Sequence, residues 1–150
     1  KYWEAKQQDR PVRVGMGTDV GGGTNFSIPR QLNEAYKVAM LNMKNLDAVK
    51  SFYLATRGGA EALHLENTIG SLAPGYEADV AVLSLKPSEF STWRMQFAKT
   101  IFEKLFVLMT LGLNNMNLAT YVAGKKVYDR SRAQTHMYAS EFPETKISDK

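Results

Sequence analysis

The sequence predicts an α/β chain that forms the C-terminal part of a parallel (β/α)8 barrel and then continues into further helices and strands. Three observations carry this reading. The β-branched run Val12-Arg-Val14 meets Gly15 and Gly17 and then presents one carboxylate, Asp19, ahead of Gly21-Gly-Gly23. A parallel barrel builds its site from strand ends of this kind, at its C-terminal face. The chain has 150 residues, enough for one ordinary core but well short of the roughly 250 of a complete barrel. Finally, helical patterns follow the glycine loop one after another with no strand between, more than a simple barrel crossover holds. The expectation is a portion of a larger catalytic unit.

The elements follow in order. Lys1 to Asp9 is polar apart from Tyr2, Trp3 and Ala5, and fits the tail of a helix; Pro11 separates it from a strand over residues 12–16. Ser27 is placed to cap a helix with Pro29 in its first turn, where a missing N–H does no harm. Leu32, Ala35, Tyr36, Ala39, Met40 and Met43 then recur at the spacing of one buried helical stripe. A second helix, about Leu46 to Thr56, is expected to bury Val49, Phe52 and Tyr53, and Gly58-Gly59 to break it before a short helix at 60–65.

The next stretch is turn-rich. Pro74-Gly75 supplies type II turn chemistry and leads into a short, buried-looking strand, Val80-Ala-Val-Leu83. A helix from about Phe97 to Thr110 carries Ile101, Phe102, Leu105, Phe106 and Met109 on one side. Residues 119–123, a turn at Gly124-Lys125 and residues 126–128 read as a β-hairpin. From about Ser131 no period survives and a loose tail is expected.

Composition excludes several function classes. There are no cysteines, so disulfides, thiolate metal sites and cysteine nucleophiles are out. His64-Leu-Glu66 matches the His-x-Glu of one zinc deaminase class, but that chemistry also needs a Pro-Cys-x-x-Cys, which the chain lacks. The net charge of +4 is mild. Its one concentration, Lys125-Lys126 with Arg130 and Arg132, is small and interleaves a single aromatic, Tyr128, so no nucleic-acid partner is expected. No stretch approaches a membrane span, and no membrane partner is expected.

For Asp19 two readings stand side by side: a site carboxylate, or a turn or capping residue of a glycine-rich loop. Nucleotide loops do not fit. A dinucleotide fingerprint starting at Gly15-x-Gly17 would place its third glycine on Val20, and Gly22-Gly-Thr24 lacks the lysine of a phosphate loop. Thr18, Thr24 and Ser27 have no histidine nearby in sequence to act as a base, so they read as turn residues.

Gly17-Thr-Asp-Val-Gly-Gly-Gly-Thr-Asn-Phe-Ser27, followed by Leu32-Asn-Glu-Ala-Tyr-Lys-Val38, resembles the last barrel strand and following helix of the amidohydrolase superfamily, in particular its guanine-deaminating members. Ile69-Gly-Ser-Leu-Ala-Pro-Gly75 with Glu77-Ala-Asp-Val-Ala-Val82 is similar to the segment that returns such chains to their small β-rich domain. Lys104 to Gly112 and Thr120-Tyr-Val-Ala-Gly124 look like the same enzymes' C-terminal end. The resemblance runs collinearly over about residues 1–130.

The resemblance implies barrel residues at 1–66, a return to a small β-sandwich over 67–130 with an inserted helix, and a tail at 131–150. It implies hydrolytic deamination of guanine to xanthine and ammonia in purine catabolism. In the superfamily, the aspartate ending the last strand binds a single zinc with three histidines from earlier strands. It also moves a proton from zinc-activated water toward the departing amine. Asp19 matches that position, and is thereby implied as metal ligand, catalytic group and substrate contact. The three histidines, the His-x-x-Glu acid and the purine-reading Arg and Gln are expected outside this chain, which alone is expected to be inactive. A cytoplasmic homodimer is the further implication. Two alternatives remain open: an adenosine- or triazine-type aminohydrolase, which tends to follow its aspartate with Gly-Ala-(Ala/Ser)-Ser-Asn, and a non-catalytic assembly module that keeps the scaffold.

Overall fold

The computed structural model describes residues 6–7, 10–112 and 115–132. In chain order these form β1 (Lys6–Gln7), β2 (Arg10–Pro11), α1 (Ile28–Leu41), α2 (Ala48–Ala55), α3 (Arg57–Ala62), β3 (Val80–Leu83), α4 (Glu89–Met95), α5 (Ile101–Thr110), β4 (Asn117–Val122) and β5 (Lys125–Asp129).

The first expectation to be corrected concerns the N-terminus. Where a helix tail was expected, Lys6–Gln7 pairs antiparallel with Arg10–Pro11 as a short ribbon; the remainder of Lys1–Asp9 lies outside the described residues. The strand expected over 12–16 is not found: these residues are irregular and pair with no strand among the described residues. Val14 and Met16 pack inward, whereas Val12 and Arg13 are exposed. The backbone meets helices instead of strands: the Met16 amide donates to the Leu54 carbonyl at 3.0 Å.

Helix α1 starts where Ser27 predicts, with Pro29 in its first turn, but by another device. The Ser27 hydroxyl makes no capping bond; its amide donates to Asn25 Oδ1 at 2.7 Å and its carbonyl accepts from Gln31. Leu32 and Ala39 are buried, Ala35 and Tyr36 half-buried, whereas Met40 and Met43 stand in solvent. The helix ends at Leu41, so Met43 no longer shares its phase.

Helix α2 is capped by Asp47, whose Oδ1 accepts from the Lys50 amide at 2.8 Å. Its buried face is Ala48, Ser51 and Leu54, one position out of phase with the larger Val49 and Tyr53, which are exposed; Phe52 is half-buried. Small side chains let α2 sit close to its neighbours. The break before α3 falls at Thr56, with φ −126° and ψ −99°, and Gly58-Gly59 lie inside α3. A Cβ at Gly58 would come within 3.0 Å of the Tyr53 ring, so that glycine serves packing.

The turn at Pro74-Gly75 forms as expected: Tyr76 donates to the Ala73 carbonyl and Gly75 has φ +91°, the left-handed value a type II turn requires. Strand β3 takes the expected residues, but Ala81 and Val82 are exposed rather than buried. It joins β4 and β5 in a three-stranded antiparallel sheet, with Val80 opposite Tyr121 and Thr120 opposite Tyr128. The hairpin turn is Ala123-Gly124, one residue earlier than expected, with both φ values positive as a type I′ turn requires.

The helix expected from Phe97 to Thr110 forms as α5 but starts later, at Ile101, and a separate helix, α4, precedes it where none was expected. Ser88 caps α4, and Thr100 with Glu103 forms a capping box at the start of α5. On α5 the buried residues are Val107, Leu108 and Met109, with Leu105 packed against them; Ile101 and Phe102 face solvent. The core is three adjoining clusters. Met95, Val107, Leu108 and Met116 form one, Leu32, Ala48 and Met109 the next, and Ala39, Leu46 and Leu54 the third. Phe52 and Leu105 link the first pair, and Met16 links the second pair. Residues 130–132 begin a helical turn where a loose tail was expected; residues 133–150 of that tail lie outside the described residues.

Candidate active site

Asp19 stands where segment 12–18 turns toward α1. It is exposed and has φ +47°, a left-handed backbone rarely adopted by residues with a side chain. That conformation points its carbonyl back along the glycines, where it accepts the amides of Gly22, at 3.0 Å, and of Gly23. The carboxylate fills space that only glycine leaves: a Cβ on Gly22 would lie 2.9 Å from Asp19 Oδ2. A Cβ on Gly23 would overlap the Thr18 carbonyl. Of the glycines following Asp19, Gly21 has φ +111° and Gly23 leaves no room for a Cβ beside the Thr18 carbonyl, so the turn itself requires glycine at those two positions.

The loop then hands over to α1 through Asn25, which accepts from the Ser27 amide and receives Gln31 Nε2 on its carbonyl at 3.2 Å. Phe26 between them is 77% exposed. Thr18 and Ser27 are half-buried and Thr24 is exposed.

A cavity lies elsewhere. It has a volume of about 730 Å³ and opens between the start of α1, the end of α2, residues 70–72 and β3. Phe26, Phe52, Leu72 and Met116 contribute to its mainly apolar wall, and Asp19 does not line it. Of the polar groups on its wall, Asp79 accepts from the Ala123 amide and Asn117 Nδ2 donates to Thr120, while Asn117 Oδ1 is buried without a partner.

The structure does not bring the histidines to Asp19. His64 sits just past α3 with φ +60°, its Nδ1 3.3 Å from Arg13 Nη1; His136 lies outside the described residues. Among the described residues no group of three or more His, Asp and Glu side chains could hold a metal ion. The Asp19 carboxylate is exposed and belongs to no such group among the described residues. Sequence reasoning missed Arg13. Its guanidinium donates to the Glu61 carbonyl at 2.8 Å and to Glu66 Oε1 at 3.0 Å. The available signal was a lone cation inside a β-branched run.

A model of the Amidohydrolase family matches residues 5–127. The chain belongs to the amidohydrolase family. This amidohydrolase chain is 44% identical over 131 residues to guanine deaminase of Escherichia coli K12, covering 87% of this chain and 29% of that protein. Its fold matches a solved E. coli guanine deaminase with a TM-score of 0.77 at 46% identity, over 80% of this chain and 28% of that one. It also matches guanine deaminase from Bradyrhizobium japonicum, with a TM-score of 0.73 at 30% identity, over 82% and 32% of the two chains. The amidohydrolase chain therefore spans less than a third of the length of the relatives it matches. Its architecture is the amidohydrolase-family fold of the guanine deaminase structures, with a small sheet of three antiparallel strands. No helix among the described residues is long and apolar enough to cross a membrane.

Proposed function

We propose that this chain is the C-terminal portion of a zinc-dependent guanine deaminase, which converts guanine and water to xanthine and ammonia. The observation that carries the reading is the collinear likeness to guanine deaminases through the Asp19 loop, the return segment and the hairpin, at 44% identity over 87% of the chain. In this reading residues 12–19 are the last strand of a (β/α)8 barrel with its terminal acid, and residues 1–66 are barrel. Residues 67–130 return to the small domain, whose three-stranded sheet supports that division.

Asp19 would hold the metal as one ligand and act as the proton carrier. Bound zinc supplies a water whose pKa lies near neutrality. The Asp19 carboxylate, exposed and tethered by its own backbone turn, accepts a proton on one side and delivers it to the departing amine on the other. The C–N bond to the exocyclic amine breaks as a C–O bond forms at the same carbon, and nitrogen leaves as ammonia. The missing Cβ at Gly22 supports this role because it leaves the space that Oδ2 occupies. A cytoplasmic homodimer completes the reading on the family resemblance.

The test is turnover by the complete zinc-loaded enzyme, followed by ultraviolet absorbance, with guanine, adenosine and melamine in parallel. Guanine alone should be converted. Asp19→Asn should lower zinc affinity and reduce kcat by about 10²–10⁴-fold. Preference for adenosine or melamine would assign the chain to another aminohydrolase. Near-normal zinc content and turnover in Asp19→Asn would remove Asp19 from the site.

A further inference from the structure

We infer that Arg13 is a positioning residue for Asp19, locking the segment that carries the carboxylate onto the C-terminal turn of α3. This rests on the reading of Asp19 given above, but its geometry is independent of it.

Whatever strands flank it in the complete enzyme, segment 12–16 must also be fixed against the helices that follow it. Three contacts do so. Arg13 Nη1 reaches three acceptors around one turn: the Glu61 carbonyl at 2.8 Å, Glu66 Oε1 at 3.0 Å and His64 Nδ1 at 3.3 Å. Two residues on, the backbone of Gly15 presses against Gly59, where a Cβ would stand 3.0 Å from the Gly59 Cα. The Met16 amide then donates to the Leu54 carbonyl. Only Gly17 and Thr18 separate this anchored stretch from Asp19, so a shift of the anchor passes directly to the carboxylate.

The Arg13–Glu66 pair is more than an exposed ion pair, which by itself contributes little. Glu66 Oε2 is buried without a hydrogen-bond partner. Removing Arg13 would leave that carboxylate confined with its main cation gone, so the turn would have to open. The Glu66 carboxyl is held below its ordinary range first by its own backbone amide and then by Arg13. Glu61 also ties the same turn to α2, accepting from Tyr53 Oη at 2.6 Å, and within α3 accepts from Arg57 Nε at 3.2 Å.

The experiment compares the parent with Arg13→Met, Arg13→Lys and Glu66→Gln. In the 150-residue chain, amide exchange is followed at Met16, Gly22 and Gly23, the donors to the Leu54 and Asp19 carbonyls. In the complete zinc-loaded enzyme, zinc affinity, kcat and KM are measured per folded site. Arg13→Met should speed exchange at those three amides by about tenfold, leaving α1 and β3–β5 protected. It should lower zinc affinity and kcat by about 10–100-fold with KM within about twofold. Arg13→Lys should recover part of both, and Glu66→Gln should fall between. Unchanged exchange at Met16, or a lowered Tm with kcat per zinc-loaded site intact, would overturn the proposal. Should Arg13→Met fail to fold, the Lys and Gln variants decide by the same readouts. Asp19→Asn in parallel separates the two readings: an active Asp19→Asn removes the site assignment, whereas an inactive Asp19→Asn beside a fully active Arg13→Met removes the brace alone.

Discussion

The Asp19 carboxylate and the Gly22 backbone are matched in space: Oδ2 lies 2.9 Å from the position a Gly22 Cβ would take. Gly22 itself does not adopt a left-handed φ, so alanine is acceptable to the backbone and objectionable only to the carboxylate. Gly22→Ala should therefore turn the Asp19 side chain away while preserving the fold. In the complete enzyme kcat should fall roughly 100-fold, the cost of about 1 Å of misplacement, with an unchanged far-ultraviolet circular dichroism spectrum. Turnover equal to the parent's would show that the carboxylate has room to spare.

Acid should unfold the chain through a small set of carboxylates. Asp129 is held down to about 2, first by the Ser131 hydroxyl and then by Lys126 and the Ser131 amide. Glu103 is held below its ordinary range by the Thr100 and Lys99 amides, and Glu66 by its own amide and Arg13. Because these folded-state values are depressed, the stability they contribute is fully present above the ordinary carboxylate range and is lost as pH falls through it toward 2. A Tm profile between pH 6 and 2 should drop across that window, and Asp129→Asn should flatten its most acidic part.

The capping box of α5 gives a second stability test. Thr100 Oγ1 accepts from the Glu103 amide at 3.3 Å while Glu103 Oε2 accepts from the Thr100 amide at 2.8 Å. Thr100→Ala removes one half of the reciprocal pair and should cost about 1 kcal/mol in urea unfolding. Thr100→Ser should cost much less, since the hydroxyl is kept.

Leu32 tests the core. It is fully buried where α1 packs against Ala48 of α2 and Met109 of α5. Leu32→Ala leaves a cavity at that three-helix junction and should cost about 2–5 kcal/mol. Leu32→Met nearly conserves volume and should cost less than about 1.5 kcal/mol.

What could be read in advance depended on whether the deciding force was local. Pro74-Gly75, strand 80–83 and the hairpin are fixed by turn chemistry and short-range pattern, and these were legible apart from one residue of turn placement. The helix faces were legible only in part: Leu32 and Ala39 of α1 and Met109 of α5 are buried as expected. Reading large apolar residues as inward chose Val49 and Tyr53 on α2, but close helix packing selects Ala48 and Ser51. On α5 it chose Ile101 and Phe102, while the helix turns its C-terminal end, Val107 to Met109, into the core. Helix α4 was missed because its signal is polar, a Ser88 cap over a short run with Phe90 and Trp93 exposed. At the site, the glycine–aspartate pattern was legible as a pattern. That Gly22 answers to Oδ2, and that Arg13 reaches across to α3, depends on three-dimensional closeness that no spacing encodes.

The hairpin tip leaves an opening for protein engineering. Ala123 holds a left-handed φ of +47° beside Gly124 at +76°, a conformation that costs an alanine about 1–2 kcal/mol. It is kept there from outside the hairpin: the Ala123 amide donates to Asp79 Oδ1 at 2.7 Å, and Gly124 donates to the Ala78 carbonyl at 3.0 Å. Asparagine tolerates this backbone far better, and Asn-Gly is the preferred pair for such a turn. Ala123→Asn, remote in sequence from Asp19, thus offers a margin of thermal tolerance that selection has left unused. It would suit a stabilised background in which damaging changes near Asp19 could be studied without losing the fold.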